Sequence, residues 1–505
     1  MTKNLAKSAV LALISGLLAT YAVDNAIFLL SWVCLIPLFI AFNHKTHKEF
    51  IALALFFSIG VSLVGTSWMI TGAASFTDSS LLFGLLIFIV YILVSTLFWG
   101  LFFLIISWGQ FLDRYSVVVR GLLLASVWVL YEVVKNAIFE GQPWFNYYTG
   151  TCLAQNTSAI QPVAFLGTPI LTFVMILVNY MFAAFLMERK GKKLLIPLSI
   201  IIGYLGIGAL MLHYFDNNLK PSGKPFKLAI LVENLPPEVK WNDATGDALA
   251  GNFIKMSKLA VYSKSDMALW SESSIPWKYK PNDDLVHVIL KISGPAGITN
   301  LIGINTGYSK KSLYNSIYCF LPDGSLSNRY DKSIALDFIE KPVAGFIIPF
   351  FIGEGCDVEE GRNPKPIVTP YGKAGVMICN ESFIPEAATN MAKKGAEFFV
   401  NPSNDGWFMK FDVVTLHFYN AKLRAVETRK DIAINSNNGI SGMIQASGRV
   451  TMSRKDKYPF VETVIVSPNK EVSVYTKYPY ILAFLCGGIL IGFFYFRIKP
   501  LKKKK

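Results

Sequence analysis

Charged residues are scarce in this chain of 505 residues: they make up 16% of it, against 53% for hydrophobic residues. A soluble protein normally carries about a quarter of its residues as Asp, Glu, Lys or Arg. The shortage excludes a wholly soluble enzyme, and the apolar excess predicts several membrane-spanning segments. The length is sufficient for two domains.

Cysteine and histidine are also scarce, with six and five residues respectively. The cysteines show no CxxC spacing, and Cys34 and Cys486 lie in apolar runs, so neither a disulfide framework nor a zinc site is expected. A bridge between Cys319 and Cys356 stays compatible with the sequence. The histidines are not clustered, so we predict no metal, and a Cys–His catalytic pair would depend on His417 alone.

Acidic residues are outnumbered, 34 against 48 basic ones, which gives a formal charge of +14. Such a charge is common in nucleic-acid-binding proteins, but here the lysines and arginines gather at the edges of apolar runs and in the tail Lys499–Lys505. That distribution is typical of membrane topology signals and of contact with anionic lipid headgroups. We therefore predict contact with membrane lipid and no nucleic-acid partner.

Eight apolar runs have lengths near the roughly 20 residues that a spanning helix needs. They are Ala6–Val23, Ala26–Phe42, Phe50–Ile70, Leu81–Trp108, Gly121–Ile138, Val163–Leu186, Leu194–Leu212 and Tyr480–Phe496. The first has two lysines at its start, Lys3 and Lys7, as in a signal peptide, but no convincing small-residue cleavage site follows it, so we predict a retained helix. Glu132 lies within the fifth run, where an ionisable group needs a partner or a water-filled cavity.

Lysine and arginine occupy every second loop between these runs, whereas the loops around Asp24 and Asp78 carry none. Positively charged loops lie on the cytoplasmic side. The N-terminus and the tail are therefore expected in the cytoplasm, and the long segment between the seventh and eighth runs on the outer side. The predicted organisation is residues 1–214 for seven helices, 226–474 for an outer domain, 480–497 for an eighth helix and 498–505 for a basic cytoplasmic tail.

Within residues 226–474, short β-rich runs such as Leu228–Val232 and Ile432–Asn435 alternate with helical stretches such as Val413–Arg429. This alternation predicts an α/β domain around a central sheet.

The stretch from Lys373 to Phe408 places a cysteine between a strand and a helix. Residues Ala374–Ile378 are an apolar run typical of a buried strand. Pro385 begins a helical pattern, since proline is tolerated in a first helical turn. Cys379 would then stand at the elbow, where helix amides favour a thiolate.

A second apolar strand in this stretch, Glu397–Val400, ends in the polar residues 401–405. Polar groups at the ends of buried strands are where α/β folds place ligands. On local evidence alone, however, a free cysteine such as Cys379 is more often a small buried hydrophobic residue.

Several separated sequence motifs give these residues a context. Glu272 in LWSESSIPW, Lys332 in RYDKSIALDFIE and Cys379 in VMICNES follow the triad order of the nitrilase, or carbon–nitrogen hydrolase, superfamily. The pieces GQPWFNYYTG, VENLPPEVKW, NPSNDGWF and RAVETRKDIAINSNNGISGMI resemble those of bacterial apolipoprotein N-acyltransferases. The resemblance covers nearly the whole chain. It implies a multi-pass α-helical membrane domain of about eight transmembrane helices plus an α/β nitrilase-like αββα sandwich.

The resemblance also implies roles for five residues of the outer domain. Glu272 would take the proton from the nucleophile Cys379, and Lys332 would lower the thiol pKa and stabilise the oxyanion. Glu340 would help to position the lysine, and Glu381 matches another essential carboxylate. An alternative for Glu381 is an ordinary charge at a helix N-terminus.

Four residues are predicted to bind substrate: Trp241, Asn380, Asn404 and Trp407. Trp241 matches an aromatic residue of the family's substrate-binding arm, although a surface tryptophan can also mark an interface or the membrane boundary. The chain departs from the family pattern at Asn380, where an aromatic residue is common. It departs again at Ala335–Glu340, which lacks the usual proline and glycine. Both departures touch the expected acyl pocket.

The resemblance implies an acyltransferase of the bacterial cell inner membrane with a periplasmic catalytic domain. It would move an acyl chain from a phospholipid, through a cysteine thioester, to the N-terminal amine of a diacylglyceryl-cysteine lipoprotein. No cofactor and a monomeric state are expected. The alternative enzyme is a membrane-anchored amidase or nitrilase. A transporter or scaffold is disfavoured because a binding protein does not need the Glu–Lys–Cys set. The apolar run Phe346–Phe351 would enter lipid or cover the site, or else form a buried strand.

Overall fold

The computed structural model describes residues 3–43, 45–76, 79–109, 115–188, 191–236, 239, 241–343, 357–406 and 413–498. Contacts between residues divide the chain into two compact units. The first, here called the helical unit, comprises Met1–Phe139, Trp144–Met211 and Tyr478–Lys505. The second, the sandwich unit, comprises Glu140–Pro143 and Leu212–Lys477.

The helices that begin in the helical unit follow the apolar runs, with interruptions. They are α1 (Lys3–Asp24), α2 (Phe28–Ser31), α3 (Ile36–Ala41), α4 (His47–Gly65), α5 (Met69–Phe76), α6 (Leu81–Trp108), α7 (Val117–Ile138), α8 (Val163–Leu166), α9 (Pro169–Glu188) and α10 (Leu195–Asn218). Six of the described helices, α1, α4, α6, α7, α9 and α10, are long and apolar enough to cross a membrane. The second run forms shorter apolar helices. So does the final run, where the helix extends over Ile481–Ile498. A count of eight spans therefore stays a prediction.

The second apolar run is not one helix, as predicted, but two short ones. The backbone groups freed by the break are satisfied from a distant helix. Asn179 of α9 accepts a hydrogen bond from the amide of Leu35 at 2.9 Å and donates to the carbonyl of Ser31 at 2.8 Å. The hydroxyl of Ser15 donates to the carbonyl of Cys34 at 2.7 Å. Such partners make a broken helix tolerable in an apolar bundle.

Two other runs are also interrupted. The third run ends its first helix at Gly65 and resumes at Met69. The sixth run breaks at Gly167, whose φ of 74° is in the left-handed region, and restarts at Pro169. Glycine adopts such a φ without strain, and proline fits the first turn of a helix.

Helices α1 and α4 pack closely because two glycines face each other. A Cβ atom on Gly16 would lie 2.3 Å from the carbonyl oxygen of Phe57, and one on Gly60 would lie 2.4 Å from that of Leu13. Small residues at helix contacts allow this approach in membrane bundles, where packing rather than apolar burial drives association.

Glu132 of α7 has the partners that its place in an apolar run requires. It is buried and accepts hydrogen bonds from the backbone amide of Thr149 at 2.9 Å and the hydroxyl of Thr172 at 2.7 Å. The indole of Trp128 donates a third at 3.2 Å. The cost of burying the carboxylate is thus offset within the helical unit.

The sandwich unit contains the α/β domain. Its strands are β1 (Phe226–Val232), β2 (Met267–Trp270), β3 (Ile275–Lys278), β4 (Thr299–Gly307), β5 (Ser312–Tyr314), β6 (Ser316–Phe320), β7 (Leu326–Asp331), β8 (Asp357–Val358), β9 (Ile367–Thr369), β10 (Gly372–Val376), β11 (Phe398–Asn404), β12 (Ile432–Asn437), β13 (Ser441–Ile444), β14 (Val450–Arg454) and β15 (Phe460–Val466). Its helices are α11 (Gly246–Tyr262), α12 (Asp284–Ser293), α13 (Pro385–Lys393), α14 (Val413–Thr428) and α15 (Val474–Lys477); the final helix of the chain, Ile481–Ile498, is α16.

The described strands form two sheets. One has the order β15-β1-β2-β4-β5-β8, with β3 and β6 also paired to β4, and the other has the order β14-β13-β12-β11-β10-β9. Apolar side chains of both sheets, such as Ile230 and Val376, share one core. Helices α11 and α12 cover the outer face of the first sheet, and residues of α13 and α14 pack on the second. The unit is thus an αββα sandwich.

Polar side chains also tie the two sheets together near the ends of the parallel strands. The amide of Asn435 on β12 donates to the carbonyls of Leu231 and Leu269, each at 2.7 Å. Leu231 and Leu269 lie on the adjacent parallel strands β1 and β2. Because the carboxyl ends of parallel strands lie at one edge of a sheet, side chains that follow these strands are brought together there.

Some predictions fall outside the described residues. These concern Cys356, the run Phe346–Phe351, Trp407 with Phe408, and the tail Lys499–Lys505. Cys319 is described as a buried free thiol in the core between the sheets.

Candidate active site

Cys379 stands on a strained elbow after β10. The strand ends at Val376, a 3₁₀ turn covers Cys379–Phe383, and α13 begins at Pro385. The predicted strand therefore ends two residues early, and a tight turn precedes the helix. Cys379 is buried and has a φ of 50°, in the left-handed region that side-chain-bearing residues rarely adopt. Such backbone strain costs on the order of 1–3 kcal/mol and is typical of functional sites.

Lys332 follows β7 and points its ammonium group at two carboxylates. Its Nζ lies 2.8 Å from Oε2 of Glu340 and 3.4 Å from Oε1 of Glu272, and the lysine side chain has no exposed surface. The backbone of Lys332 is fixed as well, because its amide donates to the carbonyl of Asn315 at 2.8 Å. The predicted Glu272, Lys332 and Glu340 thus form one buried charge cluster.

Glu272 is held from both sheets. It follows β2 of the first sheet, and its Oε2 accepts a hydrogen bond of 2.8 Å from the backbone amide of Asn404, at the end of β11 in the second. The side-chain amide of Asn315 donates to Oε1 at 2.7 Å. These contacts fix the carboxylate against rotation, as a general base requires.

Glu381 does not serve only as a charge at a helix N-terminus. It is fully buried and accepts hydrogen bonds from the hydroxyl of Tyr330 at 2.7 Å, from the amide and hydroxyl of Ser333 at 2.8 and 2.6 Å, and from the amide of Ile378 at 2.6 Å. One carboxylate therefore joins the segment after Lys332 to the residue before Cys379. We infer that it sets the distance between the lysine and the cysteine.

The electrostatics of the cluster show how the charges balance. Burial and the neighbouring Glu272 carboxylate raise the pKa of the Cys379 thiol well above its ordinary value, although Lys332 lowers it. Burial would lower the pKa of Lys332, but Glu340 and Glu272 more than compensate and raise it. Burial also raises the pKa of Glu272 against the opposing charge of Lys332.

These pKa shifts run against one expectation from the sequence, that helix amides at the elbow favour a thiolate. Burial and the Glu272 carboxylate raise the thiol pKa more than Lys332 lowers it. The arrangement instead suits a neutral thiol that passes its proton to Glu272 as it attacks. A raised carboxylate pKa makes Glu272 a better base for that step.

The predicted substrate-binding residues have different surroundings. Asn380 is buried next to Cys379; its amide nitrogen donates to the carbonyl of Ile334 at 3.1 Å, and its Oδ1 has no hydrogen-bond partner among the described residues. Asn404 lies at the end of β11, where its backbone contacts Glu272 and its Oδ1 accepts from Asn437 at 2.9 Å. Trp241 is half-buried and packs its ring against Phe253 and Trp277.

Residues 401–404, predicted to lie beyond the end of a strand at Val400, continue strand β11. They pair in parallel register with residues 434–437 of β12. Asn401 reaches the elbow through its side chain, donating to the carbonyl of Met377 at 2.6 Å. The polar residues therefore do not mark the end of the strand, because these buried asparagines and serines have hydrogen-bond partners in the neighbouring strand and in the elbow.

The segment Ala335–Glu340, which lacks the family's proline and glycine, places Phe338 at a φ of 65°. This conformation is an outlier for a bulky residue. Two contacts within the sandwich unit hold the segment: Asp337 donates its amide to the carbonyl of Gly141 at 3.0 Å, and Glu340 accepts from the amide of Leu336 at 2.7 Å. Gly141 belongs to the GQPWFNYYTG piece.

His417 was considered in the sequence only as a rival base. The structure directs its ring to the backbone of Cys379: Nε2 lies 3.0 Å from the carbonyl oxygen of that residue, and Nδ1 lies 3.0 Å from Oδ1 of Asp405. Sequence spacing could not reveal this pair, because Asp405 and His417 belong to different elements. Among the described residues, no group of three His, Cys, Asp or Glu side chains could hold a metal ion.

Two family models match separate parts of the chain. The model of the carbon–nitrogen hydrolases matches residues 235–475, and the model of the apolipoprotein N-acyltransferase N-terminal domain matches residues 15–181. They do not overlap, and together they cover most of the chain. The first includes Glu272, Lys332 and Cys379.

Curated relatives match across both parts. An apolipoprotein N-acyltransferase from Rickettsia bellii is 25% identical over 521 residues, which covers 98% of this chain and 97% of the relative. One from Geobacter metallireducens is 22% identical over 396 residues, or 74% of each chain. The crystal structure of a carbon–nitrogen hydrolase from Helicobacter pylori covers 51% of this chain and 94% of its own, at 18% identity and a TM-score of 0.37.

Proposed function

This chain belongs to the apolipoprotein N-acyltransferase family of the carbon–nitrogen hydrolase superfamily, and we propose that it N-acylates lipoproteins through a thioester on Cys379. The acyl donor is a membrane phospholipid, and the acceptor is the N-terminal amine of a diacylglyceryl-cysteine lipoprotein. The observation that carries the proposed mechanism is the buried cluster in which Nζ of Lys332 lies 3.4 Å from Glu272 and 2.8 Å from Glu340, and in which Glu272 and Lys332 both shift the pKa of the Cys379 thiol.

The first half-reaction forms the acyl-enzyme. Glu272 takes the thiol proton of Cys379 while the sulfur attacks the ester carbonyl of the phospholipid. The ammonium group of Lys332 stabilises the negative oxygen of the tetrahedral intermediate. As the C–O bond breaks, Glu272 returns its proton to the leaving alkoxide. A lysophospholipid departs, and the acyl chain remains on sulfur.

The second half-reaction transfers the acyl chain. The neutral α-amine of the lipoprotein attacks the thioester carbonyl and gives a proton to Glu272. The C–S bond breaks, Glu272 protonates the departing sulfur of Cys379, and an amide is released. Atoms and charges balance over the two steps with no cofactor.

The proposed topology follows from the charge of the loops. We propose a multi-pass protein of the bacterial inner membrane in which residues 226–474 lie in the periplasm and residues 498–505 in the cytoplasm. Both substrates are lipids of that membrane, and apolar helices precede and follow the catalytic domain along the chain. The shorter apolar helices at Phe28–Ala41 and Ile481–Tyr495 would complete eight membrane segments.

Mass spectrometry tests the proposal. Purified protein incubated with phospholipid vesicles is expected to gain the mass of one acyl chain on the peptide that contains Cys379. A diacylglyceryl-cysteine peptide should then remove the adduct and appear as an N-acylated product. Fatty-acid release at a rate that the acceptor does not change would identify a hydrolase instead. A protein that never acquires the adduct would contradict the thioester mechanism.

A further inference from the structure

His417 of α14 lies between two hydrogen-bond acceptors. Its Nδ1 is 3.0 and 3.1 Å from the two carboxylate oxygens of Asp405, and its Nε2 is 3.0 Å from the carbonyl oxygen of Cys379. The hydroxyl of Ser403 lies 3.4 Å from Nε2. The histidine, Asp405 and Cys379 are all buried.

This geometry favours one protonation state of the ring, because the Cys379 carbonyl at 3.0 Å is closer to Nε2 than the Ser403 hydroxyl at 3.4 Å, which could donate to it. A carboxylate and a backbone carbonyl accept hydrogen bonds and donate none. A neutral imidazole carries one N–H, so one of its nitrogens would direct a lone pair at an acceptor. Only the doubly protonated imidazolium donates to both Asp405 and Cys379.

The charges around the ring agree with this assignment. Burial alone would lower the pKa of His417, but the Asp405 carboxylate more than compensates, with Glu272 and the Cys379 carbonyl acting in the same direction, so the pKa is raised. The ring of Phe383, whose centroid lies 5.6 Å from that of the imidazole, and the hydroxyl of Ser403 add no charge.

We propose that His417 is a positioning residue that stays cationic at neutral pH, bridging Asp405 to the carbonyl of Cys379. The bridge acts in two ways. It ties the backbone of Cys379, which has a strained φ of 50°, to helix α14, which packs on the second sheet. It also compensates Asp405, which on its own raises the pKa of the Cys379 thiol. The inference rests on the proposed role of Cys379 as nucleophile.

The test measures the thiol without the lipid substrate, so that it stands apart from the test of acyl transfer. The rate of alkylation of Cys379 by iodoacetamide is followed against pH by mass spectrometry of its peptide, in the full-length protein in detergent. Four proteins are compared with the wild type: His417→Gln, Asp405→Asn, the double variant, and His287→Gln, which changes an exposed histidine of α12.

His417→Gln leaves the charge of Asp405 uncompensated. The midpoint of the alkylation profile should therefore move up by about one pH unit, which lowers the alkylation rate about tenfold at a fixed pH below the midpoint. The double variant removes both charges and should return the midpoint most of the way to the wild-type value. His287→Gln should not change it. A merely structural role for His417 would leave the midpoint of His417→Gln at the wild-type value, and that result would overturn the proposal.

A second measurement reads the protonation state of the ring in the wild-type protein itself. The chain has five histidines, so nitrogen NMR of the wild-type protein with labelled histidine gives few signals, and His417→Gln assigns one of them. At neutral pH the two ring nitrogens of His417 should have the nearly equal shifts of an imidazolium. The widely separated shifts of a neutral ring would refute the proposal, whatever the acyl-transfer assay shows.

Discussion

The ammonium nitrogen of Lys332 lies 2.8 Å from a carboxylate oxygen of Glu340, and the lysine side chain is completely buried. Removing one partner of such a pair leaves an uncompensated buried charge, which costs about 3–5 kcal/mol. An exposed ion pair contributes at most about 1 kcal/mol. The Lys332–Glu340 contact therefore does more than neutralise charge, because it fixes the position of the nitrogen that is proposed to stabilise the oxyanion.

Glu340→Ala should lower both stability and activity. Loss of the carboxylate leaves Lys332 to Glu272 alone, so we expect a clear fall in the thermal unfolding midpoint and at least a tenfold slower formation of the acyl-enzyme. The matched control is Glu462→Ala, which breaks a half-exposed pair with Arg454. If the two variants had equal unfolding midpoints, the buried Lys332–Glu340 pair would stabilise the fold no more than the half-exposed Arg454–Glu462 pair does.

Cys379→Ser should abolish acyl-enzyme formation, because a serine hydroxyl is a far weaker nucleophile at neutral pH. The chain provides a control in Cys319→Ser, which changes another buried free cysteine of the same core. The control variant should still gain an acyl chain in the mass-spectrometric assay. Near-normal transfer by Cys379→Ser would remove the cysteine from the mechanism.

Glu272→Gln should separate thiol ionisation from catalysis. The Glu272 carboxylate raises the pKa of the Cys379 thiol, so its removal should lower that pKa and speed alkylation by iodoacetamide at neutral pH. Acyl transfer should slow by roughly 100-fold or more, since the general base is lost. If alkylation and acyl transfer slowed together, the Glu272 carboxylate would assist ionisation of the thiol in both reactions, and its charge would not be what keeps the thiol pKa high.

The proximity of Glu272 and Lys332 was predictable because these residues follow recognisable strands and, with Cys379, occur in a family order. The breaks in the apolar runs were not, because hydropathy cannot show that Asn179 will satisfy the backbone between Ser31 and Leu35. Nor was the bridge from His417 to Cys379, which exists only once α14 packs beside the elbow. Contacts between residues far apart in sequence decided both features.

His417 should also make stability depend on pH. Its pKa is raised in the folded protein, so its stabilising contribution is fully present below the unfolded pKa of about 6.5 and is lost as pH rises through the folded value. The unfolding midpoint of the wild type relative to His417→Gln should therefore be highest near pH 6 and should decrease at alkaline pH. If the unfolding midpoints of the wild type and His417→Gln differed by the same amount near pH 6 and at alkaline pH, the protonation of the histidine would not change with folding.

Asn380 should affect the two half-reactions unequally. Its Oδ1 is buried beside the nucleophile with no hydrogen-bond partner in the described part of the chain. An unpaired buried acceptor is costly, and an amine that approaches the thioester can supply the missing hydrogen bond, worth about 0.5–1.5 kcal/mol. Asn380→Ala should thus form the acyl-enzyme within a few-fold of the wild-type rate but transfer the chain to the diacylglyceryl-cysteine peptide up to about tenfold more slowly.

The control for Asn380→Ala is Asn282→Ala, at an exposed position of the same domain. Each half-reaction is timed separately by mass spectrometry, first with phospholipid alone and then after addition of the peptide. If Asn380→Ala slowed acyl-enzyme formation and left the transfer unchanged, the side chain would contact the phospholipid rather than the amine.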